Sequence, residues 1–349
     1  MGQQVSCYDV VEQTAPKGNE FAGRGAAVVS GATSGIGVPT TECALAAGFA
    51  PVFALARSDA AAAALTSELL GKVGADRVKS LIVVSADLGD LASVRAAAQR
   101  IDREAGEKGV SLLVCNAGVM NSAFSATKDG LELQIGTNHF GHVALTDLLL
   151  PALERSGRLT AAAKPGDVAR VVFVSSEAHK MAPGKDGFDP AKFEFNAADA
   201  AHYSGWAAYG QSKLANVLAA LDYDLNFQKD GKPIAAFSLH PGVISTNLTR
   251  HTWGGSVFTT LGAPFMKTIP QGAATTIYCS LTKEALANRG GYFADAAFRG
   301  ATAKGQNVAN AARLMKVTRE ILEKKRGGEA AAAAAASSSE ASSSATAKL

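Results

Sequence analysis

The chain has 349 residues, of which 47% are apolar and 19% charged, with a formal net charge of +3. That length admits one large domain or two ordinary ones, and that apolar share suffices for a sizeable core. Lys and Arg are scattered, with no basic stripe interleaved with aromatics, so nucleic-acid binding has little support. The four cysteines, Cys7, Cys43, Cys115 and Cys279, form no CxxC pair. Neither a zinc site nor a disulfide framework is expected, and a reducing compartment is the natural reading.

Residues 1–22 are polar and unpatterned and read as an N-terminal arm. The start, Met1-Gly2-Gln3-Gln4-Val5-Ser6, fits the N-myristoylation pattern, and Cys7 offers a second acyl site. Two chains are needed for stable anchoring, so peripheral membrane contact through an acylated N-terminus stands as one expectation. No secretory signal is expected there, since no apolar core segment is present. The longest apolar run, 43–56, is broken by Gly48 and Pro51. It falls short of the ~18–20 residues of a spanning helix and reads as a helix end followed by a buried strand.

Strands are expected at 26–30, 51–56, 80–85, 111–115, 170–175 and 235–240, with a late one near 291–294. Most are continuous apolar runs, which suit strands covered on both faces of a parallel sheet. Helical stretches such as 38–48, 91–103 and 209–226 separate them. This alternation predicts an α/β, doubly wound Rossmann fold with right-handed crossovers. A single mostly parallel sheet of about seven strands, with helices on both faces, accounts for one domain over 23–326. Residues 327–349 form a low-complexity Ala/Ser tail. Alanine gives the tail helix propensity, but no apolar stripe is there to bury, and it reads as mobile. It ends in Ala347-Lys348-Leu349, which is similar to a Ser-Lys-Leu peroxisomal address. The peroxisome is therefore slightly favoured over the cytoplasm or a membrane surface.

The first strand runs into Gly31, Ser34, Gly35, Ile36 and Gly37, and a helix follows with Pro39 in its first turn. Glycines allow a tight turn and close approach to a pyrophosphate, and a helix N-terminus offers free N–H groups. A P-loop would need Gly-Lys-Ser/Thr where Gly37-Val38-Pro39 stands. After the second strand comes Arg57, where an NAD-binding fold usually has an acid for the ribose 2′-hydroxyl. A guanidinium can pair with a 2′-phosphate, which points to NADP(H). Asp87 and Leu88 follow the third strand. The Asp87 carboxylate suits either the adenine amino group or the N-cap of the next helix. Cys115-Asn116-Ala117-Gly118 ends the fourth strand with small residues beside the cofactor.

Tyr209 and Lys213 are four apart and share a helix face. Hydride transfer to a carbonyl needs a proton for the developing alkoxide, and a phenol serves if its pKa of ~10 is lowered. A neighbouring ammonium lowers it, and bringing it to neutrality asks for roughly 4 kcal/mol. The fifth strand ends in Ser175-Ser176, whose hydroxyl can bond the substrate oxygen. Asn138, inside a helix beside Gly141, can hold water and extend a proton relay. His139 and His142 lack a zinc motif and read as packing residues.

In order, Gly-x3-Gly-Ile-Gly, Asn-Ala-Gly, Ser, Tyr-x3-Lys and Pro-Gly resemble the short-chain dehydrogenase/reductase family over residues 25–245. The segments 116–120, 137–142 and 208–216, and an insertion over 179–206, resemble one branch of it. That branch includes retinol dehydrogenase-like proteins, WW-domain oxidoreductases and chloroplast Tic32-like proteins. The resemblance favours Ser176 over Ser175 and implies a relay of Asn138, Ser176, Tyr209 and Lys213. In it Tyr209 is the acid/base and Lys213 also holds the nicotinamide ribose. Pro241, Gly242, Val243 and Thr246 are similar to the family's nicotinamide-side loop. The branch implies NADP(H) and a small lipophilic alcohol, aldehyde or ketone, and leaves a homo-oligomer open. Cys115 replaces a more usual Asn, and Val38-Pro39 alters the first helix. Trp206, Tyr203 and the stretch 253–266 are apolar enough to line a pocket. The alternative, from another class, is an NADP(H)-sensing interaction protein with incidental turnover.

Overall fold

The computed structural model describes residues 21–244 and 267–346, with side chains described as far as residue 327. Gly2, Ser6, Cys7, Thr246, the stretch 253–266 and Ala347-Lys348-Leu349 lie outside the described residues.

The expected alternation is present. The order is β1 (Ala26–Val29), α1 (Gly37–Ala46), β2 (Val52–Ala56), α2 (Asp59–Val73), β3 (Leu81–Ser85), α3 (Leu91–Ala105) and β4 (Val110–Cys115). There follow α4 (Gly141–Ala163), β5 (Ala169–Val174), α5 (Gly205–Lys229), β6 (Ile234–His240), α6 (Ile269–Leu281), β7 (Tyr292–Ala294), β8 (Ala297–Phe298) and α7 (Val308–Thr346). The strands form one sheet in the order β3-β2-β1-β4-β5-β6-β7-β8. Seven are parallel, and β8 pairs antiparallel with β7. At two residues, β8 is too short to leave a periodic signal, which is why about seven strands were expected.

Every residue of β1, β2, β4 and β5 is buried. Side chains alternate across the sheet. Ala27, Val29, Val52 and Val114 face the layer of α1, α2 and α6. Ala26, Val28, Phe53 and Leu113 face the layer of α3, α4 and α5. A third apolar cluster lies outside that second layer, where Leu214 and Leu218 of α5 meet Phe188 and Phe193 of the insertion and Leu314 of α7. Full burial of such a side chain contributes about 1.5–3 kcal/mol. The start of α7 is therefore part of the body.

The tail shows the helix propensity that its alanines carry. Helical backbone continues without a break to Thr346. Alanine is the strongest helix former and carries the helix past Gly327-Gly328 with no apolar face required. The long apolar run resolves as read, into the end of α1 and then β2. Among the described residues no helix is long and apolar enough to cross a membrane.

Crossovers leave β1 and β4 in opposite directions, so their carboxyl ends flank a topological switch point, where open α/β sheets bind ligands.

Candidate active site

A cavity of about 1430 Å³ opens at that switch point. One half is built by strand-end loops. Beyond β1 the backbone turns through Gly31 at φ +61°, a left-handed conformation that glycine takes without strain. A Cβ on Gly31 would lie 2.8 Å from Ala117 Cα, and one on Gly37 would lie 2.0 Å from Gly31 O. The turn is thus packed between its own helix and the β4 loop. Ile36 occupies the N-cap of α1 and offers no side-chain cap. Gly31, Ser34, Gly35 and Ile36 line the cavity, and Gly37 stands behind them as a packing residue. A close backbone turn at an uncapped helix start fits a pyrophosphate.

Arg57 is exposed, lines the cavity beside Ser58 and makes no ion pair among the described residues. Ser58 caps α2 by accepting from Ala61 N. Asp87 and Leu88 line the same half. Asp87 is not the N-cap of α3. It accepts from Gly89 N at 2.9 Å within its own turn, and Asp90 caps the helix by accepting from Ser93 N. Asn116, Ala117 and Gly118 form the floor. Cys115 beside them is fully buried, and burial pushes its thiol up to about 12, so it is inert.

The other half gathers the candidate catalytic residues. Ser176 follows β5, and Tyr209 and Lys213 project from α5 into the cavity. Ser176 and Tyr209 line the cavity together, and Ser176 Oγ accepts from Ala178 N at 3.1 Å. Ser175 turns away and donates to Lys213 O at 2.7 Å. Lys213 Nζ donates to Val174 O at 3.1 Å and stands 5.6 Å from the Tyr209 ring centroid. Both side chains are buried. Burial lowers the Lys213 ammonium to about 8. The same desolvation pushes Tyr209 up to about 12, against a smaller downward pull from Ser176. This corrects the expectation of a phenol lowered by Lys213. Withdrawal from water penalises the phenolate more than its neighbours favour it.

Asn138 also departs from expectation. It lies in a π-helical turn, Gly136–Phe140, just before α4. Its Oδ1 accepts from Val119 N at 2.8 Å, and its Nδ2 donates to Val119 O and Ser212 Oγ, each at 2.9 Å. It does not line the cavity. The amide is spent clamping the β4 loop to α5 and is not free to hold a relay water through its donors.

Pro241, Gly242 and Val243 line the edge beyond β6. Trp206 packs edge-on to Tyr209 with ring centroids 6.1 Å apart, whereas Tyr203 donates to Glu132 and anchors the insertion. Thr33, Lys128, Glu177, Lys180 and His240 also line the cavity and have no local motif that marks them. Lys128 arrives from the long loop after β4 and pairs with Asp90 at 2.6 Å.

The short chain dehydrogenase family model matches residues 25–186. Retinol dehydrogenase 12 of Mus musculus is 35% identical over 296 residues, covering 84% of this chain and 85% of its own. The chloroplastic short-chain dehydrogenase TIC 32 B of Brassica napus is 36% identical over 270 residues, covering 77% and 79%. Among solved structures, an uncharacterised protein of Mycobacterium paratuberculosis superposes with a TM-score of 0.62 at 29% identity, over 89% of this chain and 97% of that one. An NADPH-bound carbonyl reductase from chicken fatty liver gives 0.57 at 21% identity, over 80% and 100%, a likeness of fold.

Gly37→Ala is expected to cost about 1–3 kcal/mol, since the added carbon meets backbone that cannot yield cheaply. Urea unfolding checks this, and unchanged stability would contradict the packing of the turn.

Proposed function

Because the chain belongs to the short-chain dehydrogenase family, we propose that it is an NADP(H)-dependent oxidoreductase acting on lipophilic alcohols, aldehydes or ketones. The observation that carries this reading is the meeting of Ser176, Tyr209 and buried Lys213 in one cavity with an uncapped glycine turn. The turn from Ser34 to Gly37 would hold the pyrophosphate, and Arg57 the 2′-phosphate. Asp87 and Leu88 would border the adenine, and the backbone at Asn116, Ala117 and Gly118 would pass beneath the sugar. Lys213 would hold the nicotinamide ribose, with Pro241, Gly242 and Val243 beside the ring. When bound, the nicotinamide supplies a hydride to a carbonyl carbon or takes one from an alcohol.

The protein's own part is proton transfer at the substrate oxygen. Ser176 donates a hydrogen bond to that oxygen and orients it. Tyr209, neutral through the physiological range, gives up its proton as negative charge develops there. The Lys213 ammonium offsets the charge left on the phenolate. Lipophilic substrates are favoured because Met181, Trp206 and Val243 line this half while 54%, 42% and 64% exposed. The retinol dehydrogenase names of the relatives point the same way.

NADPH oxidation against a panel of lipophilic aldehydes and ketones tests the reading. Tyr209→Phe should lower turnover by roughly 100- to 10,000-fold while retaining cofactor affinity. Undiminished turnover removes Tyr209 as the acid, and NADPH binding with no turnover on any member favours a sensor. Arg57→Asp should shift the NADPH/NADH ratio of kcat/KM towards NADH by roughly 10- to 100-fold. An unchanged ratio means that another group reads the 2′-phosphate. Since Lys213 loses its charge as pH rises through about 8, kcat/KM for reduction should be level at neutral pH and fall above 8. A profile that stays level to high pH contradicts a role for the ammonium.

A further inference from the structure

Behind the cofactor half of the cavity runs a chain of hydrogen bonds that begins at a histidine the proposed chemistry does not use. His142 is fully buried in the first turn of α4. Its Nδ1 lies 2.9 Å from Asn138 O. A carbonyl only accepts, so Nδ1 carries a proton. Burial lowers the imidazole to about 4, so at neutral pH it carries only that one. Nε2 is then a bare lone pair. Ser30 Oγ, 2.8 Å away, must donate to it.

The direction of that bond decides the next one. With its proton committed, Ser30 Oγ keeps two lone pairs. Asn116 N at 2.8 Å and Ala117 N at 3.0 Å donate into them. The opposite tautomer would put a third donor on the same oxygen and release one of the two loop amides. Its bare Nδ1 would also face the Asn138 carbonyl. Removing the imidazole leaves Val114 O, at a longer 3.3 Å, for the Ser30 proton. The hydroxyl would rotate, and its lone pairs would leave the loop amides.

These amides belong to the loop that floors the cavity. Its next residue, Gly118, packs closely on Asn138, since a Cβ there would lie 3.0 Å from Asn138 Oδ1. Asn138 therefore holds the far end of the loop through Val119, and its own carbonyl orders the near end through His142. We propose that His142, locked in the Nδ1–H tautomer, is a positioning residue that sets the loop of Asn116, Ala117 and Gly118 against the cofactor through Ser30. What the loop holds rests on the NADP(H) reading, whereas the order of the hydrogen bonds does not.

The test uses the full-length protein. With 15N-labelled histidine, the His142 ring should report a neutral Nδ1–H tautomer at neutral pH, its signals assigned by their loss in His142→Phe. An Nε2–H tautomer or a protonated ring would overturn the proposal. In His142→Phe, amide hydrogen exchange at Asn116 and Ala117 should rise roughly 3- to 10-fold, with NADPH Kd raised by a similar factor. The kcat at saturating cofactor should stay within about twofold, the split expected of lost positioning. Adding His142→Phe to Ser30→Ala should change neither quantity further. Unchanged exchange at the two amides, or an additional loss in the double variant, also overturns it. Exchange that responds as expected in a protein that fails to bind NADPH would support the coupling of His142 to the loop and remove the NADP(H) reading instead.

Discussion

Because the crossovers after β1 and β4 diverge, two loops must stand apart at the centre of the sheet with no strand between them. The cavity is that gap, and a few hydrogen bonds hold its width. Asn116 Nδ2 donates to Ser30 O at 2.9 Å and to Gly31 O at 3.2 Å. Ser30 Oγ takes the backbone N–H groups of Asn116 and Ala117 in return. Buried polar groups are costly when unpaired, so each of these bonds defends the others. The glycine turn comes this close only because Gly31 carries no side chain.

From that junction the rest of the site follows by packing. α5 is buried along most of its length between the sheet and α7, so Tyr209 and Lys213 are delivered on a rigid element. The fifth strand supplies the opposing wall, where Val174 O receives Lys213 Nζ and Asn216 Nδ2. One wall thus orients the ammonium while Ser176, two residues on, faces the phenol. Burial then separates the two titrations, one group near 8 and the other near 12. A charged lysine beside a protonated tyrosine is the pairing that proton donation requires.

Much of this was legible in the residues. Continuous apolar runs located seven of the eight strands, and the glycine turn, Arg57 and Tyr209-x3-Lys213 named the cavity's principal residues. Other parts were not. Asp87 reads equally well as a partner of the adenine amino group or as an N-cap until the turn is built, and Asp90 takes the cap. The Asn138 amide reads as a free hydrogen-bonding group until Val119 and Ser212 are seen to occupy it. The alanine tail reads as mobile because it lacks an apolar stripe, and its backbone continues α7 to Thr346.

The residues by themselves determined the alternation of strand and helix, the place of the glycine turn and the pairing of phenol with ammonium on one helix face. These are local properties, written in spacing of four residues or fewer and in runs of five or six. Only the tertiary structure decided which groups carry charge and which hydrogen bonds are already spent. Asn138 meets Ser212 across 74 residues and Ser30 meets His142 across 112. No local pattern encodes such contacts. The shifts of Tyr209 and Lys213 likewise come from desolvation, which exists only once the sheet, α5 and the β4 loop have closed around them.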